Sequence, residues 1–75
     1  MSSTLDPNPT APRLLRLPSV LDRTGMRRSL LYEEMAEGRF PASVKLSGRA
    51  VAWPSDEIDA WIAERIAARD SEAAS

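Results

Sequence analysis

Cysteine and histidine are both absent from this 75-residue chain. Without thiols there is no disulfide staple, no thiolate zinc site and no nucleophilic cysteine; without imidazole, the usual acid–base catalyst is missing too. The lack of thiols fits a reducing cytoplasm. No apolar run approaches the roughly 20 residues needed to span a bilayer. The first twelve residues have neither the charged start nor the apolar stretch of a signal peptide, so no membrane partner is expected. No glycine loop is built to hold phosphate, no ligand spacing suits a metal, and no nucleophile stands beside a base. The chain is therefore expected to be no enzyme and to carry no cofactor or metal.

What is present is enough for one domain, with a core that must be small, because chains this short bury only about 60 % of their unfolded surface. The formal net charge is −1 and the pI near 5.3, values that by themselves argue against a nucleic-acid partner. The distribution argues the other way. From Met1 to Trp53, eight basic residues face five acidic ones, a net of +3; from Pro54 onward, Arg65 and Arg69 face six acids, a net of −4. A whole-chain average hides this polarity.

Residues 1–12 (MSSTLDPNPTAP) hold three of the six prolines and read as a disordered leader. Residues 13–69 read as the folded domain, and 70–75 as a fraying tail. Arg13–Leu17 suggests a short extended entry. Pro18 suits the first turn of a helix of about two turns, with Val20 and Leu21 on its buried side, ending near Thr24 ahead of Gly25. A second helix is expected from Arg28 to Glu37. There Leu31 and Met35 share the buried face, Arg28, Ser29, Tyr32 and Glu33 lie elsewhere, and Gly38 stands just past the end. Two short helices joined through a glycine-containing turn describe a helix-turn-helix.

A hairpin follows. With Ser47-Gly48 as a two-residue turn, Leu46 faces Arg49 and Val44 faces Val51, which places the large apolar residues on one side. After Pro54, Ser55 is the expected N-cap of a last helix whose Asp56, Glu57 and Asp59 suit the positive end of its dipole. Ile58, Trp61, Ile62 and Ile66 trace one face of it, to about Arg69. The fold class expected is thus mainly helical α+β, a winged helix-turn-helix: helix, turn, recognition helix, two-stranded wing and closing helix.

Two clusters carry the candidate chemistry. Arg27, Arg28, Ser29 and Tyr32 gather at the start of the second helix, where free backbone N–H groups and the helix dipole suit a phosphate. In a helix-turn-helix this end enters the major groove. Lys45, Ser47, Gly48 and Arg49 form a narrow basic wing tip, suited to the sugar–phosphate backbone or a minor groove. Each has an ordinary structural reading as well: a solvated helix start and a soluble turn. The Ile58–Ile66 stripe reads as the lid of the core, or in part as a self-association surface. Glu34 and Glu37 are expected to face away from DNA, leaving only Glu33 in question on the second helix.

Arg16-Leu17-Pro18-Ser19-Val20-Leu21-Asp22-Arg23-Thr24-Gly25-Met26 resembles the opening helix and turn of AlpA-type prophage regulators. Ser29-Leu30-Leu31-Tyr32 and Glu37-Gly38-Arg39-Phe40-Pro41 are similar to that family's recognition helix and its exit. Val44-Lys45-Leu46, Arg49-Ala50-Val51-Ala52-Trp53 and Glu57-Ile58-Asp59-Ala60-Trp61-Ile62 resemble its wing and closing helix. The chain departs from the pattern at Arg27, where the family often has a capping serine or threonine, and at Glu33 and Glu34, where it tends to be basic or neutral. The resemblance implies a MerR-like winged helix-turn-helix that binds double-stranded DNA in a bacterial cytoplasm, associated with the nucleoid. It implies a transcriptional regulator of integrase or excision genes, or an excisionase (recombination directionality factor) that bends DNA for an integrase. Such a small module is expected to bind cooperatively or as a dimer. A protein-interaction module docking through the second or last helix is the alternative from another class.

Overall fold

The computed structural model describes residues 12–74; the leader expected at 1–12 lies, Pro12 apart, outside the described residues. The element order is β1 (Leu14–Leu15), α1 (Leu17–Thr24), α2 (Arg28–Ala36), β2 (Val44–Ser47), β3 (Ala50–Pro54) and α3 (Ser55–Ala74). The strands form one antiparallel sheet in the order β1-β3-β2. The fold is mainly helical α+β, with a helix pair followed by a hairpin, as a winged helix-turn-helix requires.

Both short helices begin and end where local chemistry directs. Pro18 occupies the first turn of α1, and Gly25, at φ 74°, closes it with its N–H donating to the Leu21 carbonyl. Gly38 leaves α2 at φ 78°. There the Gly38 N–H donates to Met35 O and the Arg39 N–H to Glu34 O, the paired bonds of a Schellman turn.

The core is Val20 from α1, Leu31 from α2, Phe40 from the connecting loop, Trp53 from β3 and Ile58 from α3. Leu15, Leu21, Met26, Met35, Val51, Trp61 and Ile62 pack around it. The stretch between α2 and the wing is held by two indoles: Trp53 Nε1 donates to Pro41 O at 3.1 Å and Trp61 Nε1 to Arg39 O at 2.8 Å. Phe40, between them in sequence, meets Trp61 edge-on with ring centres 5.0 Å apart. The expected lid role of α3 is seen at Ile58, Trp61 and Ile62, whereas Ile66 is 47 % exposed.

Three expectations need correction. The hairpin register is one residue away from the expected one: Val44 pairs with Ala52, Lys45 with Val51 and Ser47 with Ala50, around a Gly48-Arg49 turn. Gly48 has φ 54° and Arg49 has no positive φ. A two-residue turn positive only at its first central position wants glycine there, so Gly48 draws the turn one residue later than Ser47-Gly48. Because side chains alternate, the slip takes Val44 off the face that Val51 and Trp53 turn to the core, and Val44 and Leu46 are both exposed. Ser55 is not an N-cap but the first residue of α3. Its hydroxyl accepts from the Arg13 N–H at 2.7 Å, while its own N–H donates to Arg13 O at 2.6 Å, because β1 brings Arg13 alongside the end of β3. Finally, α3 runs to Ala74 rather than Arg69. Neither glycine nor proline follows Pro54, so no breaker stops it sooner.

Candidate nucleic-acid interface

Arg27 stands in the N-cap position of α2 with extended backbone, φ −82° and ψ 159°, and its side chain makes no capping bond. Its carbonyl accepts the first helical hydrogen bond, from Leu31 N–H at 3.0 Å. The first turn contains no acid, so the positive end of the helix is not neutralised within α2's own start. Leu31 is fully buried, which turns Arg28, Ser29 and Tyr32 outward. The Arg28 guanidinium carbon lies 5.7 Å from the Tyr32 ring centre, a cation–π arrangement that keeps both groups together on the surface.

On the wing, Lys45 sits opposite Val51, Ser47 closes β2 opposite Ala50, and Gly48 and Arg49 form the turn; Lys45, Ser47, Gly48 and Arg49 are all exposed. The structure thus gathers the eight expected residues into two separate surface groups, one at the head of α2 and one at the wing tip. No hydrogen bond or ion pair joins the two groups among the described residues.

The cations differ in what they touch. Arg16 Nε donates to Val51 O at 3.1 Å, and Arg23 pairs with Asp59 at 3.0 Å. Arg39 grips Glu34 at 2.9 Å with Glu37 at 3.8 Å, Arg65 lies over Trp61, and Arg69 pairs with Asp70. Arg27, Arg28, Lys45 and Arg49 form no ion pair with any described residue. Four outward cations without a counter-ion among the described residues thus lie on the two expected surfaces.

The acids of α2 divide too. Glu34 receives two hydrogen bonds from Arg39, Nε to Oε1 at 3.0 Å and Nη2 to Oε2 at 2.9 Å. These bonds hold its carboxyl below the usual carboxylate range and hold the Arg39 guanidinium above its ordinary value. Glu33 makes no hydrogen bond or ion pair with a described residue and stays exposed. The neutralising role of Arg39 escaped the sequence reading, because a partner five residues away is not a neighbour on a helix face. Gly38 was the available signal, since a Schellman turn brings that residue back. Among the described residues no group of three or more acids is placed to hold a metal ion. No helix there is long and apolar enough to cross a membrane.

These features define a small winged helix-turn-helix with a basic, outward-facing helix head and wing. The chain belongs to the family described as prophage CP4-57 regulatory protein (AlpA), whose model matches residues 13–66. It is 46 % identical over 63 residues to the Enterobacteria phage P4 protein called "Uncharacterized protein ORF88", covering 84 % of this chain and 72 % of that one. It is 36 % identical over 64 residues to "DNA-binding transcriptional activator AlpA" of Escherichia coli K12, covering 77 % of this chain and 91 % of that protein. No solved structure matches the chain.

Proposed function

We propose that this protein binds double-stranded DNA site-specifically and regulates transcription from a prophage or related element. In this reading Arg27, Arg28, Ser29 and Tyr32 enter the major groove at the head of α2. Lys45, Ser47, Gly48 and Arg49 follow the neighbouring backbone or minor groove. The observation that carries the reading is the gathering of cations: the four on the two candidate surfaces have no acid partner among the described residues, while Arg23, Arg39 and Arg69 are each tied to one and Arg16 and Arg65 rest on a carbonyl and a ring. Phosphates are the counter-ions that such a surface lacks. The name of the similar Escherichia coli protein, an activator, favours transcriptional control over excision as the outcome of binding.

Fluorescence anisotropy with labelled duplexes tiled across the DNA around the protein's own gene tests this, against a scrambled duplex and over a salt series. Retention on one segment at salt that releases the scrambled duplex is the expected result. Equal, weak binding to every duplex would remove site specificity, and no binding at low salt would remove the DNA reading. A signal indifferent to salt would instead favour a protein partner, because phosphate contacts release counter-ions.

A further inference from the structure

Leu46 belongs to the wing but not to the core. Consecutive β3 residues Val51 and Ala50 pair with Lys45 and Ser47, so Leu46 is the extra residue of a β-bulge, without a cross-strand partner. It is 44 % exposed and is neither in the core nor among the residues packed on it. Bulges re-aim side chains. Here the re-aimed group is apolar, next to Lys45 in the chain and three residues before Arg49, which lies in the turn itself. Neither cation has an ion-pair partner among the described residues.

A surface that suits this tip offers apolar contact close to anionic groups, since an exposed leucine, a lysine and an arginine share five consecutive residues of the wing. The minor groove of duplex DNA does so, with stacked bases between phosphate rows, and apolar side chains inserted there unstack a step and kink the duplex. We infer that Leu46 is a wedge: Lys45 and Arg49 hold the flanking phosphates while the leucine enters between neighbouring base pairs and bends the DNA. The inference rests on the DNA-binding reading of the wing and adds to it a mechanical action. Flexible pyrimidine–purine steps, which unstack most readily, are the preferred sites for the insertion.

The probe is the duplex segment retained at the highest salt, prepared as a series with 2-aminopurine at successive steps and as an end-labelled pair for energy transfer. Wild type should brighten 2-aminopurine at one step and shorten the end-to-end distance. Leu46→Ala, at an exposed position where the fold should persist by circular dichroism, should bind within about tenfold of wild type yet lose both signals. Leu46→Met, which keeps a large apolar group of similar volume, should retain them. Brightening by Leu46→Ala equal to wild type, or none by bound wild type, would overturn the wedge while leaving DNA binding in place. Failure of wild type to bind any duplex would overturn the DNA-binding reading itself, and the wedge with it.

Discussion

Arg39 and Glu34 are joined twice, once through the backbone and once through their side chains. The Arg39 N–H donates to the Glu34 carbonyl at 2.9 Å, and its guanidinium makes two further bonds, at 3.0 and 2.9 Å, to the same residue's carboxylate. The residue two places beyond the helix cap usually finishes a Schellman turn with an apolar contact; here an ion pair takes that place. The fork geometry removes an acid from the surface of α2 and stiffens the exit toward the wing.

That pair should make stability depend on pH. Glu34 has a lowered folded pKa, chiefly through the Arg39 hydrogen bonds, so its contribution is complete above the ordinary glutamate value near 4.5. It is lost as pH falls through the lowered folded value. Glu34→Gln should lower Tm by a few degrees at pH 7, a modest effect because the pair is solvent-screened. The gap between variant and wild type should close on acidification below that range. Parallel melting curves from pH 7 to pH 2.5 check it, and a constant gap would contradict the assignment.

Two adjacent leucines should respond in opposite ways. Leu31 is fully buried and Leu30 is 42 % exposed. Leu31→Ala should cost about 2–5 kcal/mol, enough to unfold much of so small a domain. Leu30→Ala should stay within about 0.5 kcal/mol of wild type. Urea titrations of the two variants decide between this packing and a rotated α2.

Removing a cation that lacks an internal partner should change the salt dependence of DNA binding. Arg28→Ala and Arg49→Ala should each weaken binding and reduce the slope of log K against log salt by about one. Arg23→Ala, which removes a partner of Asp59, should leave that slope near its wild-type value. Salt-series anisotropy on all three variants provides the comparison.

Gly48 tests the wing without touching any neighbour. A Cβ there meets nothing within 4 Å, so its φ of 54° is the whole obstacle to another residue. Gly48→Ala should cost roughly 1–2 kcal/mol and speed hydrogen exchange in β2 and β3, while Gly48→Asn should cost less. Amide exchange by nuclear magnetic resonance reads this directly; unchanged β2 and β3 rates would refute it.

Much of this architecture was legible because local chemistry agreed with the fold. Pro18, Gly25 and Gly38 mark helix limits that backbone rules alone locate, and the spacing of Leu31 and Met35 gives the buried side of α2. The wing register was not legible from apolar alternation, which favoured Val44 opposite Val51. Turn stereochemistry at Gly48 outweighed that pattern, and the cost of exposing Val44 and Leu46 was accepted by the fold. Ser55 was misread because its partner, Arg13, is 42 residues away in sequence. The two surface clusters could be read as residue types in advance. Their lack of counter-ions among the described residues could not, because it depends on where acids such as Asp59 and Glu34 fall in three dimensions.

The indoles of Trp53 and Trp61 seize carbonyls only two residues apart, at Pro41 and Arg39. A tether pinned at both points has fewer conformations open to it, which favours one spacing between α2 and the hairpin. A partner that used both candidate surfaces would then demand less ordering of the protein on binding. Two indole N–H groups thereby pre-order a short loop, and with it the separation of the surfaces on either side of it.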